Sequence, residues 1–120
     1  MTTENYTILD TLVAARELLT PRYAWTQWTS ATDKSGRACR VNDPDAVAWC
    51  LSGAIERVGG TNSMLGNPTI VDRTISQLES TPTVGGRHLP SYNDDGRRTH
   101  ASVLRLLDTT IDNLRKAPTT

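Results

Sequence analysis

Phenylalanine is absent from the chain, and only three Trp and three Tyr supply aromatic rings among its 120 residues. A core must therefore be assembled mainly from Leu, Ile, Val and Ala, with the Trp side chains as its bulky pieces. The hydrophobic fraction of 37% is lean for a folded domain. A chain of this length still buries enough surface to fold without metal or disulfide support. We expect a single domain over 1–120, with frayed tails at 1–5 and 117–120.

An excess of charge is also missing, because 13 basic and 13 acidic residues give a formal net charge of zero at pH 7. Proteins that bind nucleic acid or an anionic membrane surface need a surplus of Lys and Arg. We therefore do not expect a nucleic-acid partner. The arginines that would serve one are Arg37, Arg40, Arg97 and Arg98.

Long hydrophobic runs and a cysteine framework are the remaining absences. No window approaches the roughly 20 apolar residues that a membrane-spanning helix needs, and no basic, apolar leader opens the chain. We expect no membrane association and a cytoplasmic location. The two cysteines, Cys39 and Cys50, are then predicted to be thiols rather than a disulfide.

What is present is mainly helical periodicity, which predicts four helices: 7–19, 43–60, 67–81 and one that follows a turn at 93–99 and ends near 114. The second is predicted to begin with Asp43 as N-cap and Pro44 at the first helical position. The fourth carries the longest apolar stripe, and His100 lies on that stripe three residues before Val103. No periodicity is visible between Pro82 and Ser91, so that segment is predicted to be a loop.

A short β-hairpin is predicted between helices 1 and 2, from the aromatic and β-branched segment 23–29 and the alternating segment 37–41. Residues 33–36 form the turn. Trp25 and Trp28 differ in parity, so a regular strand would point them to opposite faces and leave at least one partly exposed. The predicted fold is a mainly α, small single-domain four-helix arrangement with one hairpin.

The polar turn at 93–99 has two interpretations. Its carboxylates, its arginine forks and the amides of a helix start could together hold a phosphate, a carboxylate or a nucleotide. The alternative is ordinary turn chemistry, with Asp95 or Thr99 as the helix cap. The candidate binding residues around this turn are Trp49, Tyr92, Asn93, Asp94, Arg97, Thr99 and His100. The aromatic members could equally complete a core that lacks Phe.

A cysteine-dependent hydrolase or transferase is the alternative function. It would use Cys50 as nucleophile, His100 as base, and Asp94 or Asn93 to orient the histidine. Cys50 falls about two turns inside the predicted second helix, too far from the N-terminus for the helix dipole to activate the thiol. The competing interpretation makes Cys50 a small core residue. No ligand spacing typical of zinc occurs, so we expect neither a metal nor a cofactor.

Two segments carry motifs. Residues 49–54 read Trp-Cys-Leu-Ser-Gly-Ala, and residues 92–108 join Tyr-Asn-Asp to Gly-Arg-Arg-Thr-His and a V-L-x-L-L-D helix. They resemble the W-C-x-x-G-A and N-D…G-R-T-H-x-x-V-L-x-L-L-D motifs of a domain-of-unknown-function family of small proteins in actinobacteria and their phages. The doubled arginine leaves open whether Arg97 or Arg98 takes the family position. The resemblance implies that the two motifs meet in space, and it allows a phage or mobile-element setting, but it implies no activity.

Together these features favour a binding or regulatory protein over an enzyme. The surface around 93–100 would bind a protein partner or a small molecule, and exposed aromatics on the hairpin would supply a protein contact or a homodimer face.

Overall fold

The computed structural model describes residues 3–60 and 68–116, and within them it confirms a mainly α fold with one small antiparallel sheet between the first two helices. The elements are α1 (Thr3–Leu18), β1 (Ala31–Asp33), β2 (Ala46–Trp49), α2 (Leu51–Gly59), α3 (Pro68–Glu79), α4 (Leu89–Asn93) and α5 (His100–Arg115). A 3-10 turn, Arg22–Ala24, follows α1. None of the described helices is long and apolar enough to cross a bilayer.

The core lies where α1 packs against α2, α3 and α5. Its centre is made of aliphatic side chains with no exposed surface, among them Leu12, Leu51, Ile55, Leu78 and Leu107. Each such side chain contributes about 1.5–3 kcal/mol when it leaves water. The predicted apolar faces of α1, α3 and α5 are therefore the faces that pack.

The ends of the chain and the predicted start of α3 are only partly described. Residues 3–5 lie within the bounds of α1. The rest of the two predicted tails, and the predicted cap Asn67, lie outside the described residues.

The sheet has a different pairing from the predicted hairpin. Strands β1 and β2 pair antiparallel, with Ala31 opposite Trp49. The turn at 33–36 is confirmed, because Gly36 N donates to Asp33 O at 2.9 Å and Gly36 adopts φ +79°. The segment after it joins β1 only through short bridges, such as Cys39 N to Ala31 O at 3.0 Å. The aromatic segment 23–29 was wrongly predicted as a strand, since its start is a 3-10 turn.

The start of α2 was also predicted wrongly. Asp43 and Pro44 form a turn, in which Asp43 Oδ1 accepts from Asp45 N and Asp43 O accepts from Ala46 N. The chain then enters β2, and α2 begins only at Leu51. A proline one residue after an aspartate suits a turn as well as a helix start, so the local signal was ambiguous.

Five helices, not four, occupy the described residues, because the predicted loop at 82–91 ends in α4. This single turn of helix has Pro90 near its N-terminus and is too short to show periodicity. It holds Tyr92 and Asn93 fully inside the molecule, and this burial places the candidate site.

Candidate functional site

The side chain of Asn93 is a fully used hydrogen-bonding hub. Its Oδ1 accepts from the indole Nε1 of Trp25 at 2.7 Å and from Leu51 N at 3.0 Å. Its Nδ2 donates to Thr26 O at 3.1 Å and to Asp94 Oδ1 at 3.0 Å. An asparagine amide has two acceptor positions and two N–H donors, so no hydrogen-bonding capacity remains. Asn93 is 0% exposed and acts inside the protein.

Asn93 and the two residues after it, 94 and 95, hold the loop at residues 26–30 in place. We call 93–95 the brace and 26–30 the display loop. Gln27 Nε2 donates to the carbonyl oxygens of Asn93 and Asp95, at 2.9 and 3.0 Å. Trp28 N donates to Asp94 Oδ1 at 2.8 Å. Each of residues 26–28 therefore has a direct hydrogen bond to the brace.

At the tip of the display loop, Trp28 combines two unusual properties. Its φ is +74°, and it is the one residue other than glycine with positive φ among the described residues. A bulky side chain in this region is an outlier, and the conformation costs about 1–2 kcal/mol. The residue is 73% exposed, so packing within the fold does not offset that cost. At least one of Trp25 and Trp28 was expected to be partly exposed on a regular strand, and Trp28 is exposed although that strand does not form.

Cys50 is the N-cap of α2 and is buried. Its Sγ accepts from Gly53 N at 3.3 Å and lies 3.4 Å from Ser52 Oγ. Its position two turns inside a helix was predicted wrongly, because α2 starts one residue later. The sulfur therefore lies at a helix N-terminus, where it satisfies a backbone amide.

His100 is the first residue of α5 and is half-buried. Its Nε2 lies 2.7 Å from Leu19 O, and because a carbonyl can only accept, Nε2 carries the proton. This bond ties the start of α5 to the end of α1. Among the described residues no hydrogen bond joins His100 to Cys50: the histidine binds the end of α1, and the thiol binds Gly53 N.

Of the two neighbouring arginines, Arg98 faces inward. Its guanidinium lies 3.5 Å from the centre of the Tyr92 ring, and its Nε donates to Tyr92 O at 2.9 Å. Arg97 is exposed. The Arg97 backbone N–H, which donates to Asp95 Oδ1, lowers the pKa of Asp95, and the positive charges of Arg98, Arg97 and Arg87 lower it further. The carboxylate of Asp95 is therefore charged at neutral pH.

The remaining predicted binding residues divide by depth. Trp49 and Tyr92 are core residues, and Trp49 Nε1 donates to Val41 O at 3.0 Å. Thr99 is an exposed cap of α5. Asp94 is half-buried and already accepts two hydrogen bonds.

Sequence reasoning did not select Gln27 as a site residue. No local pattern indicates it, because its hydrogen bonds go to Asn93 and Asp95, which folding brings close. No group of three His, Cys, Asp or Glu within the described residues could hold a metal ion.

The two sequence motifs meet in space, as the resemblance implied, through the bond from Leu51 N to Asn93 Oδ1. The family of unknown function DUF6197 matches residues 3–113. The chain belongs to that family. No curated protein and no solved structure matches it. Because DUF6197 is defined without a function, the chemistry has to be argued from this chain's own residues.

Proposed function

We propose that the protein is a non-enzymatic recognition domain that binds another protein through Trp28. The observation that supports this is a large, exposed indole on a residue with positive φ, anchored by hydrogen bonds from a distant part of the chain. Backbone strain of this kind persists only where surrounding structure enforces it, and it concentrates at functional positions.

The energetic argument concerns what the indole contributes to folding. An exposed side chain adds little hydrophobic stabilisation, whereas the left-handed backbone costs about 1–2 kcal/mol. A glycine at position 28 would remove that cost. The presence of Trp28 is therefore explained by an interaction outside the folded chain, and tryptophan is the residue type most enriched at binding hot spots.

The buried residues act by positioning this side chain. Asn93 and Asp94 hold the display loop before a partner arrives, so less conformational entropy is lost on binding. Within the segment 93–100 that the sequence indicated, residues 93–95 thus contribute by holding the display loop.

The partner we infer is a different protein with an apolar pocket that accepts an indole. Among the side chains that the structure describes, Tyr23 and Trp28 are the large hydrophobic ones that are exposed, each at 73%. Obligate homodimers bury on the order of 2,000–5,000 Å² of mostly apolar surface, which these two side chains do not supply. A small transient contact with another protein fits better, and a second copy of this chain is the alternative that the experiment distinguishes.

A cleft of about 420 Å³ adjoins the display loop and is available to the partner's neighbouring residues. Its lining is mostly polar: Thr29, Ser30, Cys39, Arg40, Val41, Asn42 and Glu56. Burial raises the pKa of the Cys39 thiol, and the nearby Asp43 carboxylate raises it further. The thiol is therefore uncharged at neutral pH, and the cleft is suited to hydrogen bonding rather than to thiolate chemistry.

Site-specific photo-crosslinking tests the proposal. A photoreactive phenylalanine analogue replaces Trp28 in one version of the protein and Lys34, on an exposed turn, in the control. Products are formed in the native cell and identified by mass. The purified partner is then titrated with the wild type, Trp28→Ala and Lys34→Ala. Loss of a hot-spot tryptophan is expected to weaken binding about 30-fold, and Lys34→Ala should change it less than about twofold.

Equal crosslinking from the two positions, or an affinity unchanged by Trp28→Ala, would contradict the proposal. Crosslinks to a second copy of the chain would contradict the choice of partner and assign Trp28 to a homodimer.

A further inference from the structure

We propose a second site, independent of Trp28: a small cavity between α4 and α5 that binds one phosphate-class oxyanion. The cavity measures about 230 Å³ and is lined by Thr83, Tyr92, Arg98, Ser102, Arg105, Leu106 and Thr109. Its lining has two guanidinium groups and no carboxylate, and Asp95 lies outside the lining but close enough to Arg98 for the arginine's charge to lower the pKa of Asp95. In a protein with zero net charge, such a lining is a local concentration of positive charge and hydroxyl groups.

Arg98 is held in a fixed orientation at this cavity. Its Nε donates to Tyr92 O, and its Cζ lies over the Tyr92 ring, 3.5 Å from the ring centre. These contacts use one of its five N–H donors and leave the four terminal ones without a partner among the described residues. A guanidinium that is oriented in this way binds a phosphate or carboxylate with less loss of side-chain entropy.

Arg105 supplies the second positive charge. It is exposed and forms no ion pair or hydrogen bond with any described residue, whereas Arg87, which lies over the Tyr92 ring, has Asp95 Oδ2 at 3.9 Å. Arg105 follows Ser102 by three residues on α5, so both lie on the same side of the helix and line the cavity together.

The Tyr92 hydroxyl is the third group, and it gives independent support. Tyr92 is only 1% exposed, yet its hydroxyl makes no hydrogen bond with the described part of the chain. No fully enclosed side-chain oxygen or nitrogen there lacks a hydrogen bond, so this hydroxyl must be the part of Tyr92 that still contacts solvent. Since Tyr92 lines the cavity and the hydroxyl is the group that contacts solvent, we assign the hydroxyl to the cavity wall as an unpaired donor.

Size and chemistry together define the ligand class. Drug-sized and nucleotide ligands occupy pockets of about 300–1,000 Å³, and this cavity is smaller. Two arginine forks and a hydroxyl match the tetrahedral oxygens of one phosphoryl group. That group could be free phosphate or the phosphoryl end of a monophosphorylated metabolite.

The test is an NMR titration at constant ionic strength, with inorganic phosphate as the first probe and a nucleoside 5′-monophosphate as the second. The side-chain N–H signals of Arg98 and Arg105 report binding at this cavity. We expect saturable shifts with a Kd of about 1 mM for phosphate. The same Kd for the monophosphate means that only the phosphoryl group is recognised, and tighter binding means that a phosphorylated metabolite is the ligand. Both results support the site.

Variants separate a built site from general charge attraction. Arg105→Gln is expected to raise the Kd about 10-fold, because it removes a charge-assisted hydrogen bond. Tyr92→Phe, which removes only the unpaired hydroxyl, should raise it about threefold. Arg97→Gln makes the same charge change outside the cavity and should leave the Kd within about twofold. Equal effects of Arg105→Gln and Arg97→Gln, or no saturation by about 20 mM phosphate, would overturn the proposal.

Discussion

The first turns of α2 and α5 satisfy their free backbone amides in opposite ways. At α5, Thr99 and Ser102 form a reciprocal capping box: Ser102 N donates to Thr99 Oγ1 at 3.1 Å, and Thr99 N donates to Ser102 Oγ at 3.0 Å. At α2, Leu51 N donates to the side chain of Asn93, which lies 42 residues further along the chain. The cap of α5 is entirely local, whereas at α2 a local bond from Gly53 N to Cys50 Sγ is joined by one that exists only in the folded protein.

The difference shows where this fold concentrates its stability and its function. The local cap stabilises one helix. The remote cap joins α2, Trp25, the display loop and α4 through one amide, so these segments must form together. A buried network of this kind is valuable when complete and costly when one member is lost. Four substitutions test the comparison.

Asn93→Ala is expected to have the largest effect. It leaves Trp25 Nε1, Leu51 N and Thr26 O without their partner, and each buried unpaired group costs about 1–3 kcal/mol. Allowing for water entry, we expect the free energy of unfolding to fall by about 3–5 kcal/mol in chemical denaturation. Asn113→Ala, at an exposed position on α5, is the control. A loss below about 1 kcal/mol would show that the hub is not needed.

Gly53→Ala should follow, because a Cβ at this position would clash with the backbone carbonyl oxygen of Ser30. The display loop approaches α2 closely only because Gly53 has no side chain. Forcing the two apart is expected to cost about 1–3 kcal/mol. In the turn before α5, a Cβ at Gly96 would meet nothing within 4 Å, so Gly96→Ala should be nearly neutral. Thermal unfolding of the two variants gives the comparison, and equal midpoints would argue against the close approach.

Thr99→Ala removes only the local cap. Capping residues contribute about 0.5–2 kcal/mol, so we expect a loss of about 1 kcal/mol with the Trp28 loop unaffected. Tryptophan emission in the folded state should match that of the wild type. A change in that emission would mean that the α5 cap is coupled to the display loop after all.

Cys50→Ser is expected to have the smallest effect. A serine hydroxyl can accept from Gly53 N in place of the sulfur, and serine is among the preferred N-caps. The free energy of unfolding should change by less than about 0.5 kcal/mol, measured by denaturant titration. A large loss would mean that the buried sulfur packs in a way that a smaller oxygen cannot replace.

Much of the helical fold could be predicted because its signals are local. The stripe of α5, the apolar faces of α1 and α3, and the Thr99 cap all lie within a few residues of the structure they specify. The start of α2 could not be predicted in this way. Its amides are bound by Cys50, an unusual cap, and by Asn93, and the sequence around Asp43 offered a more familiar helix start.

In the candidate site too, the features set by local sequence could be predicted and those set by distant contacts could not. The turn at 93–100 was selected because polar residues cluster there, and the structure places Asn93 at its centre. The exposed position of Trp28 followed only in part from its parity with Trp25. Its positive φ depends on Asp94 and Gln27, which are brought together by folding, and no local pattern indicates it.

Hydrogen exchange at the first amides of α2 and α5 is the most direct test of the claim that Asn93 caps α2. Leu51 N donates to Asn93 Oδ1, whereas His100 N has no acceptor among the described residues. The account predicts that the Leu51 amide and the Trp25 indole N–H exchange only on extensive unfolding, with protection at least about 100-fold above that of the His100 amide. Similar, weak protection of Leu51 and His100 would contradict it, because the Asn93 hub would then not hold α2 and the display loop together.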